Sequence, residues 1–411
     1  MDESQLKQKA KLMQRVIFSV ALFLTVGGLQ AEEVGSDDLI VLKKILTADN
    51  GVERAAAAGK LGAAELKAKV VAALPEIEAA AVRWRRTQQL MKDVADVGGK
   101  TTLAAGGPDW LRKAAGDEAL EIFSSVVSVD LYDGNNPLKG KGGVNSRVND
   151  AWLAKLAGCD TIASLNLANC DVHGAGLQQV ATITKLETLN LTLTPVLDED
   201  LSHLRGLTEL KSLSLASTKC TGTGFQHLRE LRKLSNLNMH FTPANDAGLA
   251  AIAQAGDLER LWVVHAKFTD AVAPSFAAHK NLRRLGCGSS DRTSSGKALA
   301  QIGKLQLAEL ELFDQQATDE AVAYAAEIST LRLLNIAHGP TVTDAALDKI
   351  AAMPALEELK IASSKITDVG LLKLVNLKSL RKLTLSPSKT ITDAALARLR
   401  AERTDLTIEV K

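Results

Sequence analysis

The sequence predicts an α/β solenoid, in which short strands and short helices alternate along a coiled chain. Two observations predict it. A leucine pattern returns every 24 or 25 residues from about residue 162 to the C-terminus. A second pattern, typical of the first turn of a helix, follows the leucines in several copies. A constant period in this range indicates a repeat array, in which each unit buries its apolar face against its neighbours.

The first pattern is Leu-x-x-Leu-x-Leu, and its period and spacing predict leucine-rich repeats. We expect its first, fourth and sixth positions to face inward from a short strand. Parallel strands of successive coils pair at about 4.8 Å, so one leucine stacks on the next. The clearest copies begin at Leu186, Leu210, Leu234, Leu258, Leu282, Leu307, Leu331, Leu356 and Leu380.

The second pattern predicts a short helix in each coil. It reads Ile-Thr-Asp from Ile366 and Ile391 and Val-Thr-Asp from Val342, with weaker copies from Phe268 and Ala317. A Thr or Asp oxygen can accept from the free N–H groups of a first helical turn, and the Asp charge suits the positive helix end. We therefore interpret these aspartates as structural residues.

A small all-α module is predicted ahead of the array. Apolar residues from Leu39 recur at helical spacing, and a break at 49–51 is followed by a second helix. This helix–turn–helix weakly resembles one HEAT-type repeat. We assign residues 32–100 to the helical module, 101–125 to a helical cap that covers the apolar end of the array, and 126–411 to the repeats.

Residues 1–31 predict a secretory signal peptide. Basic residues up to Arg15 precede an apolar stretch at 16–26, and small residues follow. The stretch is shorter than the roughly 20 residues that span a bilayer. We expect cleavage after Ala31, with Met13 as an alternative start. The expected location is the periplasm, the cell envelope or the medium, with membrane contact only through an uncleaved N-terminal segment.

The combined pattern Leu-x-x-Leu-x-Leu followed by Ile-Thr-Asp-x-Gly-Leu resembles the exported bacterial leucine-rich repeat proteins. It is also similar to the repeats that follow the F-box in eukaryotic ubiquitin-ligase adaptors. The cap sequence Trp110-Leu111-Arg112 resembles the bacterial group, and the likeness covers about residues 108–411. It implies a right-handed horseshoe with a parallel concave sheet and convex helices. It further implies protein binding, with no family-wide catalytic residue.

The predicted binding surface lies in the middle of the concave face. Side chains beside the fourth-position leucine, and those just after the sixth, are expected there. They are small and polar in the early coils, whereas the middle coils carry aromatic and charged residues of the kind found at binding hot spots. Gly286 and Gly288 would leave a low floor between Trp262 and Phe313. The predicted patch comprises His240, Phe241, Arg260, Trp262, His265, Arg284, Glu309, Glu311, Phe313 and Asp314.

Two alternatives to this patch remain open. Trp262 and Phe313 can instead pack down on the neighbouring strands while Phe241 turns inward. A hydrolase would use His240 or His265 with Asp314, although the chain has no serine-hydrolase elbow, zinc-protease motif or dinucleotide fingerprint. We therefore expect no catalytic residue.

No cofactor or metal is expected either. The glycine-rich stretch at 140–143 lacks the Ser or Thr that follows the lysine of a phosphate loop. His203 and His227 share a phase in adjacent coils, which we attribute to helix decoration rather than to a metal site. The cysteines are expected to be small buried hydrophobes rather than disulfide partners. A net charge of +1 gives no basic excess for nucleic acid.

The expected function is that of a non-enzymatic, monomeric scaffold that binds a protein through its concave face. One alternative is an architectural protein that attaches to the cell envelope through its helical module. The other is a substrate adaptor of the ubiquitin-ligase type. The first expectation places specificity in the middle repeats, whereas the envelope alternative places it in residues 32–95.

Overall fold

A computed structural model describes residues 36–48, 50–62, 64–115, 117–132, 145–255, 257–291, 294–337, 339–362 and 365–411. The predicted signal peptide and the glycine-rich stretch at 140–143 lie outside these residues. The chain divides into two compact units, Met1–Val129 and Asp130–Lys411. No helix in the described part of the chain is long and apolar enough to cross a membrane.

The first unit is mainly helical around its own apolar core. Leu42, Ile45, Val70 and Ile77 are fully buried in that core. The segment predicted as a helical cap begins with a strand. The sequence did not predict this strand. The elements are α1 (Ser36–Thr47), α2 (Gly51–Ala58), α3 (Ala64–Asp96), β1 (Lys100–Ala104), α4 (Asp109–Ala115), a 3-10 helix (Asp117–Phe123) and β2 (Ser125–Asp130).

The second unit is a leucine-rich repeat solenoid, which confirms the predicted fold class. Its strands and α-helices are β3 (Asn145–Asn149), α5 (Asp150–Leu153), β4 (Ser164–Asn166), β5 (Cys170–Asp171), α6 (Gly174–Val180), β6 (Thr188–Asn190), β7 (Ser212–Ser214), β8 (Asn236–Asn238), α7 (Asp246–Ala255), β9 (Arg260–Ala266), α8 (Ala273–Ala278), β10 (Arg284–Ser289), β11 (Glu309–Asp314), α9 (Asp319–Ala326), β12 (Leu333–Ile336), α10 (Asp344–Ile350), β13 (Glu358–Ile361), α11 (Asp368–Lys373), β14 (Lys382–Leu385), α12 (Asp393–Glu402) and β15 (Thr407–Val410).

Several coils replace or extend the α-helix with a 3-10 helix. In the coils at Glu199–Gly206 and Thr223–His227 no α-helix forms, and the sequence did not predict this difference. Gly222 and Gly224 flank the start of the second segment, where glycine lowers the stability of a helix. The 3-10 helices are Ala154–Leu156, Glu199–Gly206, Thr223–His227, Asp270–Val272, Gly296–Leu299, Ile302–Lys304 and Leu374–Asn376.

One parallel sheet runs through the solenoid, and each strand from β4 to β14, except β5, pairs with the strand of the next coil. The register places fourth-position leucines directly opposite one another, as in Leu189↔Leu213 and Leu310↔Leu334. These side chains are essentially fully buried. The side chains at the third and fifth positions point to the other face of the sheet, which we call the open face.

The aspartates of the Thr-Asp pattern join successive coils. In α10, Thr343 accepts from the N–H of Ala345 and so caps its own helix, as predicted. Asp344 reaches the next coil, where it accepts from the backbone N–H and the hydroxyl of Thr367 at 2.8 and 2.6 Å. The same pair of bonds links Asp246 to Thr269, Asp319 to Thr343 and Asp368 to Thr392. These inter-coil bonds were not predicted, and we call them the Asp–Thr ladder.

The buried cysteines contribute apolar surface to the solenoid core. Cys170, Cys220 and Cys287 are fully buried as thiols. Burial raises the pKa of the Cys170 and Cys220 thiols to about 12, and it also raises the pKa of Cys287. A thiol that stays protonated in this way is a weak nucleophile and a weak metal ligand.

Candidate functional site

The open face carries a groove over its early coils. It has a volume of about 550 Å³ and ends at Trp262. Its floor is low because the side chains of β6, β7 and β8 are mostly hydroxyls and carboxamides. The groove is lined by Thr188, Leu189, Asn190, Thr192, Ser212, Leu213, Ser214, Asn236, Asn238, His240, Arg260 and Trp262.

The asparagines of the fifth strand position have a fixed orientation. The side-chain oxygen of Asn190 accepts from the backbone N–H of Thr192 at 3.0 Å, and that of Asn238 accepts from the N–H of His240 at 3.0 Å. Since the oxygen is held by the backbone, the NH₂ group of each side chain is available to a ligand. Neither NH₂ group makes a hydrogen bond within the described part of the chain, so the groove presents donors.

Trp262 forms the end of the groove. Its indole has room there because the residue opposite it in the next coil is a glycine. Gly286 is the register partner of Trp262 on β10. A Cβ at Gly286 would lie 2.5 Å from Cδ1 of the indole, so only glycine leaves room for the ring. Gly288 likewise lies opposite Phe313, where a Cβ would be 2.6 Å from that of Phe313. The two glycines therefore support neighbouring aromatic residues and do not leave the open floor that the sequence predicted.

A row of residues with a left-handed backbone lies near the C-terminal ends of the strands. Each has φ between 52° and 61°, which non-glycine residues adopt at a cost. The N–H of Phe241, for example, donates to the carbonyl of Val264 in the next coil. Strict strand alternation would turn Phe241 inward, but the left-handed backbone turns it outward and leaves it 56% exposed. Within the described residues, the row is Asn169, Leu193, Ser217, Phe241, His265 and Asp314.

Phe241 and His265 belong to a ring cluster beside the groove. Their rings stack with centroids 4.3 Å apart, and His240 meets Phe241 edge-on at the same distance. Phe313 lies 6.4 Å from His265. Nδ1 of His265 lies 2.9 Å from a carboxylate oxygen of Asp314, but that oxygen accepts no hydrogen bond in this geometry. The contact is an ion pair only when the imidazole is protonated.

His240 has an altered proton affinity in this setting. Burial lowers its pKa below the ordinary histidine value, the positive charge of nearby His265 lowers it further, and Asp314 raises it. At neutral pH the neutral imidazole is therefore favoured. A neutral ring can donate or accept one hydrogen bond at each nitrogen, according to its tautomer.

The charged residues of the open face fall into two groups. Arg284 pairs with Glu309 at 3.0 Å, and Glu311 accepts from the side chain of Asn335 at 3.0 Å, so these groups satisfy one another. Arg260 is exposed, and its guanidinium has no hydrogen bond or ion pair with any described residue. The groove therefore ends in an arginine that has no partner in the described chain.

The ten predicted site residues thus separate into three sets. His240, Arg260 and Trp262 line the groove. Arg284, Glu309 and Glu311 are engaged beside it in their own contacts. The remaining four, Phe241, His265, Phe313 and Asp314, form the ring cluster with His240.

The predicted patch did not include the groove floor, although its small polar residues were expected on the same face. The sequence feature that could have predicted the groove is the repeated short side chain at the third and fifth strand positions, including Asn190 and Asn238. Small residues in adjacent coils make a depression, but the patch was chosen for its aromatic content. The groove is located by the small size of side chains in adjacent coils, and not by their aromatic or charged character.

The described residues contain no group of three or more His, Cys, Asp or Glu side chains placed to hold a metal ion. His203 lies on the 3-10 helix Glu199–Gly206 and His227 on Thr223–His227, both away from the open face. The arrangement at the groove is suited to binding by hydrogen bonds, charge and an aromatic face.

Comparisons with known proteins give structural likenesses but no sequence match. No protein-family model matches the chain, and no curated protein matches it in sequence. An internalin from Listeria monocytogenes, known from a crystal structure, is similar over 62% of this chain and 76% of its own, with 18% sequence identity and a TM-score of 0.42. A likeness this low supports no conclusion about function.

Proposed function

We propose that this chain is an exported, non-enzymatic scaffold that binds a protein partner through the open face of its solenoid. One observation supports the proposal above all. The groove of about 550 Å³ ends in the half-buried Trp262 and the unpartnered Arg260, the two residue types most enriched at binding hot spots. The proposed export depends on the signal-like composition of residues 1–31.

The ten-residue patch enters this proposal in a modified form. Partner contacts centre on the groove and on the adjoining ring cluster, in which Phe241 is the most exposed aromatic side chain. The Arg284–Glu309 pair forms the rim beyond Trp262, where exposed charges affect the association rate more than the affinity. We propose a monomeric chain, with no cofactor.

A capture experiment tests the proposal. The full chain and its Trp262→Ala/Phe313→Ala variant serve as baits against envelope and secreted fractions, and captured proteins are identified by mass spectrometry. We expect a partner that the unchanged chain retains and the variant loses, because the substitutions remove the aromatic surface at the end of the groove. Circular dichroism confirms that both baits are folded.

A matched control removes exposed surface from the helix side instead. The Tyr324→Ala/Val369→Ala variant deletes an aromatic and an aliphatic side chain from α9 and α11, and it is expected to capture the same partner as the unchanged chain. Equal loss from both double variants, or capture that survives Trp262→Ala/Phe313→Ala, would show that the open face is not the binding surface.

A further inference from the structure

The groove differs from the rest of the open face in its charge. None of the twelve described residues that line it carries a carboxylate, whereas the coils beyond Trp262 present Glu309, Glu311 and Glu358. The lining ends in the positive charge of Arg260. A ligand in this groove therefore meets a positive potential on one side and no negative group that would repel an acid.

Two asparagines of the groove offer donors to a ligand. Asn190 and Asn238 each commit their oxygen to the backbone and keep the NH₂ group unbonded. The hydroxyl of Thr192 is itself taken, since it donates to the Asn190 oxygen and contacts the Ser214 hydroxyl. The NH₂ groups of Asn190 and Asn238 are therefore left as donors for a ligand, and their complement is an acceptor such as a carbonyl or a carboxylate.

The spacing of the two asparagines favours a particular backbone. Asn190 and Asn238 occupy the same position two coils apart in the parallel register. Two strand spacings amount to about 9.6 Å. A polyproline II helix repeats every three residues, or about 9.3 Å, and its carbonyls point outward without internal hydrogen bonds. Carbonyls three residues apart on such a segment can therefore face both NH₂ groups.

Trp262 suits the same kind of segment. Its indole lies close enough to Gly286 to exclude a Cβ there, and it remains partly exposed and lines the groove. Segments in the polyproline II conformation bind in grooves lined by aromatic side chains, where their fixed shape reduces the entropy lost on binding. Arg260 lies two residues before Trp262 on the same strand, where it can pair with an acidic side chain of that segment.

We infer that the groove binds an acidic segment of the protein partner in the polyproline II conformation. Carbonyls three residues apart accept from Asn190 and Asn238, a carboxylate pairs with Arg260, and an apolar residue such as proline contacts Trp262. This inference rests on the proposed function and specifies its ligand. An acidic polysaccharide offers carboxylates as well, but not carbonyls at this repeat.

Fluorescence anisotropy with defined probes tests the inference. The probes are labelled peptides of five Pro-Pro-Glu repeats and of five Pro-Pro-Lys repeats, together with labelled polygalacturonate. With the full chain at low salt we expect the Pro-Pro-Glu peptide to bind and the Pro-Pro-Lys peptide not to bind. Binding should weaken as salt is raised, because the Arg260 contact is exposed.

Two substitutions and one control locate the binding. Arg260→Gln removes the cation, and Asn238→Asp replaces the donor by a carboxylate while keeping the oxygen that accepts from His240. Each should weaken binding of the Pro-Pro-Glu peptide at least tenfold. Arg232→Gln, which removes an exposed arginine outside the groove, should leave it unchanged. Thermal unfolding of each variant confirms that the solenoid is intact.

Three results would overturn the inference: no binding of the Pro-Pro-Glu peptide, binding that survives both groove substitutions, or tighter, Arg260-dependent binding of polygalacturonate. The capture experiment separates this failure from failure of the proposed function. If a Trp262-dependent partner is still captured, the scaffold function stands and only the acidic segment is excluded. If no Trp262-dependent partner is captured either, both proposals are overturned.

Discussion

At the scale of single residues, His240 combines a role in the groove with one in the ring cluster. Its ring lies 5.4 Å from that of His265, and Asp314 is the nearest acid that affects its charge. Because burial and His265 both oppose protonation, the folded chain takes up a proton at His240 less readily than the unfolded chain. The contribution of this residue to stability is therefore present above the ordinary histidine pKa and is lost as pH falls.

The two neighbours of His240 should shift its pKa in opposite directions. His265→Gln removes a positive charge and should raise the pKa of His240, whereas Asp314→Asn removes a negative charge and should lower it. Titration of the ring protons by NMR measures both shifts, and His203, outside the cluster, is the control that neither variant should move. Shifts of the same sign in both variants would contradict the structure.

Residue-scale detail was the least predictable part of the site. The sequence predicted His240, Arg260 and Trp262 as binding residues because of their types and their strand positions, and all three line the groove. It left open whether Phe241 lies on the open face or turns inward, because the answer depends on a left-handed backbone held by a hydrogen bond to the next coil. It also missed the orientation of Asn238, which follows from a local bond to the backbone.

At the scale of secondary-structure elements, the Asp–Thr ladder binds each coil to the next on the helix side. Asp344 accepts two hydrogen bonds from Thr367, and that threonine in turn accepts from the N–H of Val369 at the start of α11. One aspartate thereby fixes the residue that caps the helix of the following coil. The strand positions were predictable from the leucine period, but this link requires the distance between two coils.

Removing an aspartate of the Asp–Thr ladder should destabilise the chain more than removing an equivalent aspartate that accepts no such bonds. Asp344→Ala should lower the free energy of unfolding by about 1–3 kcal/mol, because two donors of Thr367 lose their acceptor. Asp393 occupies the equivalent position in α12 and accepts no hydrogen bond from the described chain. Asp393→Ala therefore removes only the favourable charge at a helix start, worth about 0.3–1 kcal/mol.

Urea unfolding of the two aspartate variants measures the difference. A loss for Asp344→Ala that is no greater than that for Asp393→Ala would show that the inter-coil bonds contribute little to stability. Asp344→Asn is a useful third variant, since its amide keeps one acceptor oxygen and should recover part of the loss.

At the scale of the solenoid unit, stability comes from contacts between successive coils rather than from one central core. Fourth-position leucines stack in register along the sheet, so each one touches its counterparts in the adjacent coils. In such an array the free energy is close to a sum of nearest-neighbour terms. The sequence predicted this level of organisation best, because a repeated apolar position needs no knowledge of side-chain orientation.

Nearest-neighbour stability makes a prediction about pairs of substitutions. Leu189→Ala and Leu310→Ala should each lower the free energy of unfolding by about 2–5 kcal/mol, and together they should cost the sum, because they lie in distant coils. Leu213→Ala combined with Leu189→Ala should deviate from the sum, because the two leucines face each other across the register. Denaturant unfolding of the single and double variants checks this, and equal additivity in both pairs would contradict it.

The Asp–Thr ladder also has a consequence for how such a chain can change in length over generations. Each aspartate and the hydroxyl residue that it holds are separated by 23 to 25 residues, in step with the leucines of the strands. Duplication or loss of one whole period in the gene therefore rejoins an aspartate to a correctly placed threonine or serine, wherever the breakpoints fall. The groove floor extends over neighbouring coils, so it can lengthen or shorten by one coil while the same Asp–Thr bonds still join each coil to the next.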